Sequence, residues 1–381
     1  MIDRPALLVV HAVDTEGPLG GDARRLPDGS PEFFDRWEDI EASLAELTSK
    51  AFREEHCDSF GRPYVFDWFI LDFMGFRTNP KHRVAAYHDT YDHLVALPTE
   101  PDAIDWHYHV PPASGAGDEW SETWLSSNEC NTILARRLLE RGTFPAAFRA
   151  GGTIEDDAGS HWLDEVFALD FSNRVSERSR GTGDLYSFDW HGAPARWGSY
   201  HPAHHSFLEE GAMRRYIYRC IDLRSRYNEL TVDHVTEAMR EVARSGSQLV
   251  LSYFSHDNRD MRPETRSAVD LLRSASAETG VPWASCTAAE AHRLFHGLDH
   301  DELRLEVELE PQGVAVRAEG EPLQRTPFVA AELADGRIVR LVARETGARR
   351  WLAPLEGALV SRAGAAASTR AAVVTTAFAE R

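Results

Sequence analysis

The chain has 381 residues, 43% hydrophobic and 27% charged with ten tryptophans, enough to bury an ample core in one large domain plus a smaller one. Acidic residues outnumber basic ones 61 to 41, and the resulting formal charge of −20 argues against nucleic acid or anionic lipid as a partner. Cys57, Cys130, Cys220 and Cys286 lie far apart, which excludes a zinc site built from cysteine pairs and points to free thiols in a reducing compartment.

The N-terminal run "PALLVVHAV" is continuously apolar, as expected of a strand buried on both faces. It is too short for a signal peptide, and no stretch reaches the length of a membrane span, so the expected location is cytoplasmic. Phe33, Trp37, Ile40, Leu44 and Leu47 follow at helical spacing, then the strand-like "YVFDWFIL". A strand is expected over 104–109. "NECNTILARRLLERG" reads as a helix closed by Gly142, and 144–149 as a strand running into a glycine turn. "TVDHVTEAMREVARSG" is a helix capped by Thr231 and ended by Gly246, followed by a strand over 248–254. A helix to Gly280, the short strand "VPWAS" and the helix "AAEAHRLF" complete this part. Repeated strand–helix units predict an α/β domain with a parallel sheet over 1–299.

Near residue 300 the texture changes. In "LRLEVELE", Leu303, Leu305, Val307 and Leu309 take one face and charged residues the other. Further short strands separated by turns predict a small antiparallel β-sandwich over 300–381. All seventeen histidines lie at or before His300, so metal or acid–base chemistry belongs to the first domain. The tail is left for packing, substrate contact or assembly, a homo-oligomer included.

In parallel architectures the active site forms at the carboxyl ends of the strands. The first strand ends in "AVDTEGP", giving Asp14 and Glu16. The strand over 104–109 ends in "HYH"; side chains alternate, so His107 and His109 share a face, a geometry suited to a metal. The next ends in "FRAGG", giving Arg149, and "LSYFSHDN" gives His256 and Asp257. Each of these residues alone reads as a cap, an ion pair or a loop residue. Together they supply ligands and the groups to work with them. A further group, His201, His204 and His205 in "YHPAHHSF", is expected at the rim.

The order and content of "HAVDTEGP", "DWHYHVPP", "FRAGG" and "LSYFSHDN" resemble the polysaccharide deacetylase family, which includes chitin-oligosaccharide and peptidoglycan deacetylases. The resemblance implies a distorted (β/α)7-type barrel and a divalent metal, usually zinc, bound by His107, His109 and a carboxylate of the first motif, with Glu16 preferred over Asp14. Which of Asp14 and Glu16 binds the metal and which acts as base stays open. It further implies that Arg149 orients the base and that His256, protonated, delivers a proton to the leaving amine.

Two departures stand out: "AGG" follows Arg149 where proline is usual, and Arg174 falls near the position of the fourth-motif aspartate. Asp170, Asp257 or neither takes that place. The implied reaction is removal of an acyl group, acetyl foremost, from an amino sugar, the substrate being a small sugar intermediate. Trp106 and Tyr108 are expected to stack on it, and His204 and Asp257 to contact it. The alternatives are hydrolysis of a non-sugar C–N bond, such as a cyclic amide or formyl group, and an inactive carbohydrate-binding relative.

Overall fold

Nine consecutive residues, Leu7–Thr15, form β1, and every one is buried. Such a strand must be covered on both faces, as in a sheet wrapped by helices. A computed structural model describes residues 2, 4–19, 29, 32–72, 89–110, 114, 124, 128–175, 190–224, 229–355 and 360–381. From β1 the chain passes through α1 (Trp37–Leu47) and α2 (Lys50–Glu55) to β2 (Asp67–Leu71), and through α3 (Asp89–Val95) to β3 (Ala103–Tyr108). α4 (Glu129–Arg141) leads to β4 (Ala147–Ala150), and α5 (Asp157–Val166) to β5 (Leu169–Asn173). Three short strands, β6 (Ser199–Tyr200), β7 (Pro202–Ala203) and β8 (Ser206–Glu210), precede β9 (Tyr216–Asp222). α6 (Val232–Ser245), β10 (Leu249–His256), α7 (Met261–Thr279), β11 (Trp283–Ser285) and α8 (Ala288–His296) complete the unit.

Strands pair in the order β10-β1-β2-β3-β4-β5-β9, and β9 pairs back onto β10, closing a seven-stranded parallel barrel. The expected (β/α)7-type barrel is the fold. Its distortion has a visible source. β1 lies between β10 and β11 at its beginning, where Leu7 faces Trp283, and between β10 and β2 further on, where Ala12 faces Asp67. β11 thus fills the opening where β2 starts late. The helix ends follow the sequence signals: Thr231 caps α6 through its hydroxyl, and Gly142, Gly246 and Gly280 close α4, α6 and α7 at φ of 70°, 66° and 72°.

Strand alternation divides the core. Inward-facing Val10, Ala12, Phe69, Phe171, Cys220 and Phe254 belong to one apolar cluster that fills the barrel. Two residues further along their strands, the same parity presents Asp14, Asn173, Asp222 and His256. His107 and Arg149 hold the corresponding inward positions of β3 and β4. Outward-facing residues pack on the helices instead: Val9, Val13 and Trp68 with α1, α6 and α7, and Trp106, Phe148 and Ala150 with α4 and α5. A polar layer therefore caps an apolar barrel at its carboxyl end.

Eight further strands make the tail: β12 (Arg304–Glu310), β13 (Gly313–Glu319), β14 (Phe328–Leu333), β15 (Ile338–Leu341), β16 (Arg344–Gly347), β17 (Arg350–Pro354), β18 (Val360–Ser368) and β19 (Val374–Glu380). They form two antiparallel sheets, ordered β12-β13-β17-β16 and β15-β14-β18-β19, around a shared core that includes Val314, Val316, Val329 and Ala365. Phe328, Ala330 and Ala366 join Leu139 and Trp162 in one cluster, which seats the second sheet on α4 and α5. All four cysteines are free thiols. Among the described residues, no helix is long and apolar enough to cross a membrane.

Candidate metal centre and active site

β1 and β3 lie on either side of β2, and their inward ends meet across the barrel mouth. Glu16, just past β1, and His107 and His109, at and just past the end of β3, bring one ligand atom each to within 4.8 Å of one another. His109 Nε2 lies 3.1 Å and His107 Nε2 3.6 Å from the same oxygen, Glu16 Oε1. His107 Nδ1 is 3.0 Å from the carbonyl oxygen of Arg149 and must donate to it. That hydrogen bond fixes the tautomer and leaves the Nε2 lone pair aimed at the carboxylate. His107 Nε2 is buried and has no hydrogen-bond partner.

Burial alone would raise the Glu16 carboxyl, but the imidazoles of His107 and His109 beside it outweigh that and hold its pKa well below the ordinary range. Two imidazoles and an ionised carboxylate around one point, with a buried ring nitrogen left over, fit a divalent metal ion.

Asp14 sits beside this group, 2% exposed. Arg149 Nε donates to its Oδ1 at 2.6 Å, and the same guanidinium donates from Nη1 to the Phe171 carbonyl at 2.9 Å while lying 3.4 Å over the Phe254 ring. Burial pushes the Asp14 carboxyl up, but Arg149, His107 and His256 together carry it below its usual value. His107 Nδ1 is 3.6 Å from Asp14 Oδ1, and His256 Nε2 is 3.8 Å from Oδ2. The mouth thus holds a three-donor ligand set with an ionised, arginine-clamped carboxylate next to it.

Several expectations need correction. His256 stands where a protonated ring is disfavoured: burial first, then Arg259, push its pKa down to about 3, against the pull of Glu16 and Asp14. Trp106 and Tyr108 do not face the barrel mouth. They flank His107 on the strand, so alternation turns them outward, where they are 0% and 1% exposed in the cluster between the barrel and α4–α5. His204 is exposed between β7 and β8, accepts a hydrogen bond from His161 of α5 through its carbonyl, and stacks on that ring at 5.9 Å.

Asp257 is buried and faces backbone rather than ligand. Its Oδ1 accepts from Glu16 N at 2.7 Å and its Oδ2 from Gly17 N at 3.0 Å, so it holds the turn that carries Glu16. Burial, partly offset by those amides, raises its pKa to about 7. Nor does Asp170 replace the fourth-motif aspartate: it faces away from the mouth, 3.3 Å from Arg215. The proline pair after His109 lies outside the described residues.

Three residues escaped the sequence reading. Asp222, at the inward end of β9, forms an ion pair with Arg174, and burial raises its pKa despite Arg174, Arg149 and Arg259. The run "YIYRCID" has the same form as the other site strands, apolar and closed by an acid, and was the available signal. Arg259, three residues after His256, had no signal of its own. Gly151 has one in retrospect: a Cβ there would lie 2.3 Å from His109 Cδ2, so "AGG" makes room for a ligand ring where the family pattern has proline.

No family model and no curated protein matches the chain. Among solved structures it is similar to a Parabacteroides distasonis protein provisionally described as a glycoside hydrolase/deacetylase, with 11% identity and a TM-score of 0.46 over 96% of this chain and 85% of that one. A likeness at that level carries no functional argument, and the functional reading rests on the site.

Proposed function

We propose that the protein is a metal-dependent hydrolase that removes an N-acyl group, acetyl foremost, from an amino sugar. The observation that carries this reading is the meeting of Glu16, His107 and His109 beside the Asp14–Arg149 pair at the carboxyl end of the barrel. Zinc is the proposed ion, since two imidazoles and one carboxylate form a catalytic zinc set that leaves a position for water or substrate. Bound there, it would polarise the amide carbonyl and lower the pKa of water beside it.

The residues divide the remaining work. Asp14 takes the proton from the attacking water, and Arg149 keeps Asp14 ionised and fixes its direction. Asp257 holds the Glu16 turn in place through two backbone amides. The choice of an amino sugar is supported by the motif resemblance alone, since the aromatic residues expected to stack on a ring turned out to be core.

The test is elemental analysis of the purified protein together with acetate release from N-acetyl sugars, before and after metal stripping. A stoichiometric divalent ion and metal-dependent release are expected. Absence of both would end the reading. Turnover only of formamides or cyclic amides on the same panel would keep the hydrolase and remove the sugar.

A further inference from the structure

We propose that Trp124 and Trp190 are positioning residues: their indole N–H groups clamp the turn behind His109 in a left-handed conformation that Thr153 disfavours, and so fix where the ligand ring stands. The consequence for a metal rests on the reading above; the clamp itself does not.

The chain leaves β4 through Gly151, Gly152 and Thr153. Gly152 and Thr153 are both left-handed, with φ of 60° and 58°. Glycine adopts that conformation freely, whereas for a β-branched side chain it is an outlier. Among the described residues two other non-glycines share it, Arg349 and Ala372, and each sits in a turn between consecutive antiparallel strands of the tail. Thr153 closes no hairpin. It is 2% exposed, and its hydroxyl finds no hydrogen-bond partner among the described residues. A residue with a strained backbone and an unsatisfied hydroxyl keeps its shape only where its surroundings impose it.

Two buried indoles impose it. Trp190 Nε1 donates to the Thr153 carbonyl at 2.8 Å, and Trp124 Nε1 to the Ile154 carbonyl at 2.7 Å. The ψ of a residue sets the direction of its own carbonyl, so rotation of Thr153 out of the left-handed region would swing its oxygen off Trp190. The indoles come from different segments. Trp190 follows β5 and packs edge-on to Phe207 of β8, with ring centroids 5.0 Å apart. Trp124 follows β3; its backbone N donates to Asp156 Oδ2 at 2.9 Å, and its ring lies against Gly159 of α5, where a Cβ would come within 2.4 Å of Cγ. Segments after β3 and β5 thus hold the turn that follows the strand between them.

The same turn backs His109. A Cβ on Gly151 would lie 2.3 Å from His109 Cδ2 and 2.8 Å from its Cα, so the turn backbone and the ligand residue are in direct contact. The Ile154 N–H donates to the Gly151 carbonyl at 3.2 Å, which joins the clamped end of the turn to the end that touches the ring. Relaxation at Thr153 would shift Gly151 and take the backing from His109.

Cobalt(II) is the probe, since its visible absorption reports the ligand geometry around it as well as its affinity. Trp190→Phe keeps a ring and removes the donor. It is expected to weaken Co²⁺ binding about 10–100-fold, the range for disturbing a ligand's support, and to change the spectrum. Thr153→Gly alone should stay close to wild type, because glycine holds the left-handed turn without help. In the Trp190→Phe background it should restore most of the lost affinity, a rescue that a merely structural tryptophan would not show. Trp351→Phe, which removes an indole bond to the Arg325 carbonyl in the tail, should leave Co²⁺ binding unchanged.

Wild-type affinity in Trp190→Phe, or a double variant as weak as Trp190→Phe alone, would overturn the proposal. Should Trp190→Phe not fold, Trp124→Phe, which frees the next carbonyl, carries the same expectations. Indole proton exchange in the metal-free wild type separates the clamp from the metal reading, with slow exchange expected at both tryptophans. No Co²⁺ binding by the wild type, with both indoles protected, would remove the metal reading while the clamp stands. Fast exchange at either indole would remove the clamp whatever the metal does.

Discussion

Two groups of three histidines occupy this fold, and they are built differently. His107, His109 and His256 stand at the barrel mouth, on or just past strand ends and sharing parity with Asp14 and Glu16. His201, His292 and His296 gather around Tyr216, with ring centroids 4.1, 4.5 and 4.8 Å away, where α8 meets the tail. In the second group each histidine has its own hydrogen bond: His292 uses both nitrogens, with Tyr218 Oη at 2.7 Å and the Arg370 carbonyl at 2.8 Å, His296 meets Ser199 Oγ at 3.1 Å, and His201 meets the Arg215 carbonyl at 3.1 Å. Its nearby charge is a cation, Arg370, which donates to Tyr216 Oη. The first group has carboxylates and a buried imidazole nitrogen without a partner. Imidazoles alone do not make a metal site; an anion and an uncommitted lone pair do.

The largest expected effect follows from that contrast. Replacing both His107 and His109 with alanine should lower affinity for a divalent ion by more than ~10²-fold, the upper range for losing groups that merely support ligands. His292→Ala should leave metal stoichiometry unchanged. Equal metal content in the two variants would erase the distinction.

Next comes Asp14→Asn, expected to reduce turnover ~10²–10⁴-fold while the ion stays bound, because Asp14 lies beside the ligand group and outside it. Loss of the ion in this variant would exchange the roles of Asp14 and Glu16. The change also separates Arg149 from its buried partner, and uncompensated charges of that kind cost about 3–5 kcal/mol. A lower melting temperature with metal retained is therefore the expected pair of readings.

A smaller effect should come from Gly151→Ala. The added methyl would lie 2.3 Å from His109 Cδ2, 2.4 Å from Cγ and 2.8 Å from Cα, so the ring and the backbone that carries it must shift. A ~10–100-fold loss of metal affinity is expected, the range for disturbing a ligand's support. Gly142→Ala is the control: it strains a left-handed position at φ 70°, yet nothing stands within 4 Å of its Cβ. Unchanged metal affinity in Gly151→Ala would show that the ring has another place to sit.

What the sequence disclosed and withheld about this site has a physical pattern. Residues at the ends of long apolar strands were legible, because a run such as "PALLVVHAV" announces both a buried strand and the place where its polar end emerges. The His-x-His spacing named a shared face without any structure. The same alternation, applied to Trp106 and Tyr108, would have sent them outward; treating the tryptophan and tyrosine as ring platforms overrode a period already in hand.

Asp222 and Arg259 were hidden for another reason. Asp222 ends a strand that three short strands precede, and Arg259 reaches the site through a hydrogen bond to a residue three positions back, which no spacing rule marks. In the tail, β17 and β18 went unread because "RWLAP" and "VSRAGAAAS" lack the alternation that made β12 plain.

The last prediction concerns the second histidine group and acid stability. Burial, followed by the neighbouring charges His296, Arg370 and His201, pushes the His292 pKa down to about 3, although the hydrogen bond to the Arg370 carbonyl pulls the other way. His296 is held at about 4 by burial, His201 and Arg370. An unfolded histidine titrates near ~6.5. Below that pH the unfolded chain binds protons that the folded one refuses, so stability is full above ~6.5 and falls as pH drops toward the folded values. For a fully buried ring such as His292 the loss between pH 6.5 and pH 5 is on the order of 2 kcal/mol. His292→Gln can keep both hydrogen bonds, to Tyr218 and to the Arg370 carbonyl, yet cannot titrate. Its melting temperature should sit close to wild type at pH 7.5 and fall less than wild type by pH 5, the gap amounting to a few degrees. The acid sensitivity will not vanish, because His11 and His256 also have depressed pKa values. Parallel melting curves for variant and wild type across that range would mean that the junction histidines take no part in acid unfolding, and that the two groups differ in hydrogen bonding alone.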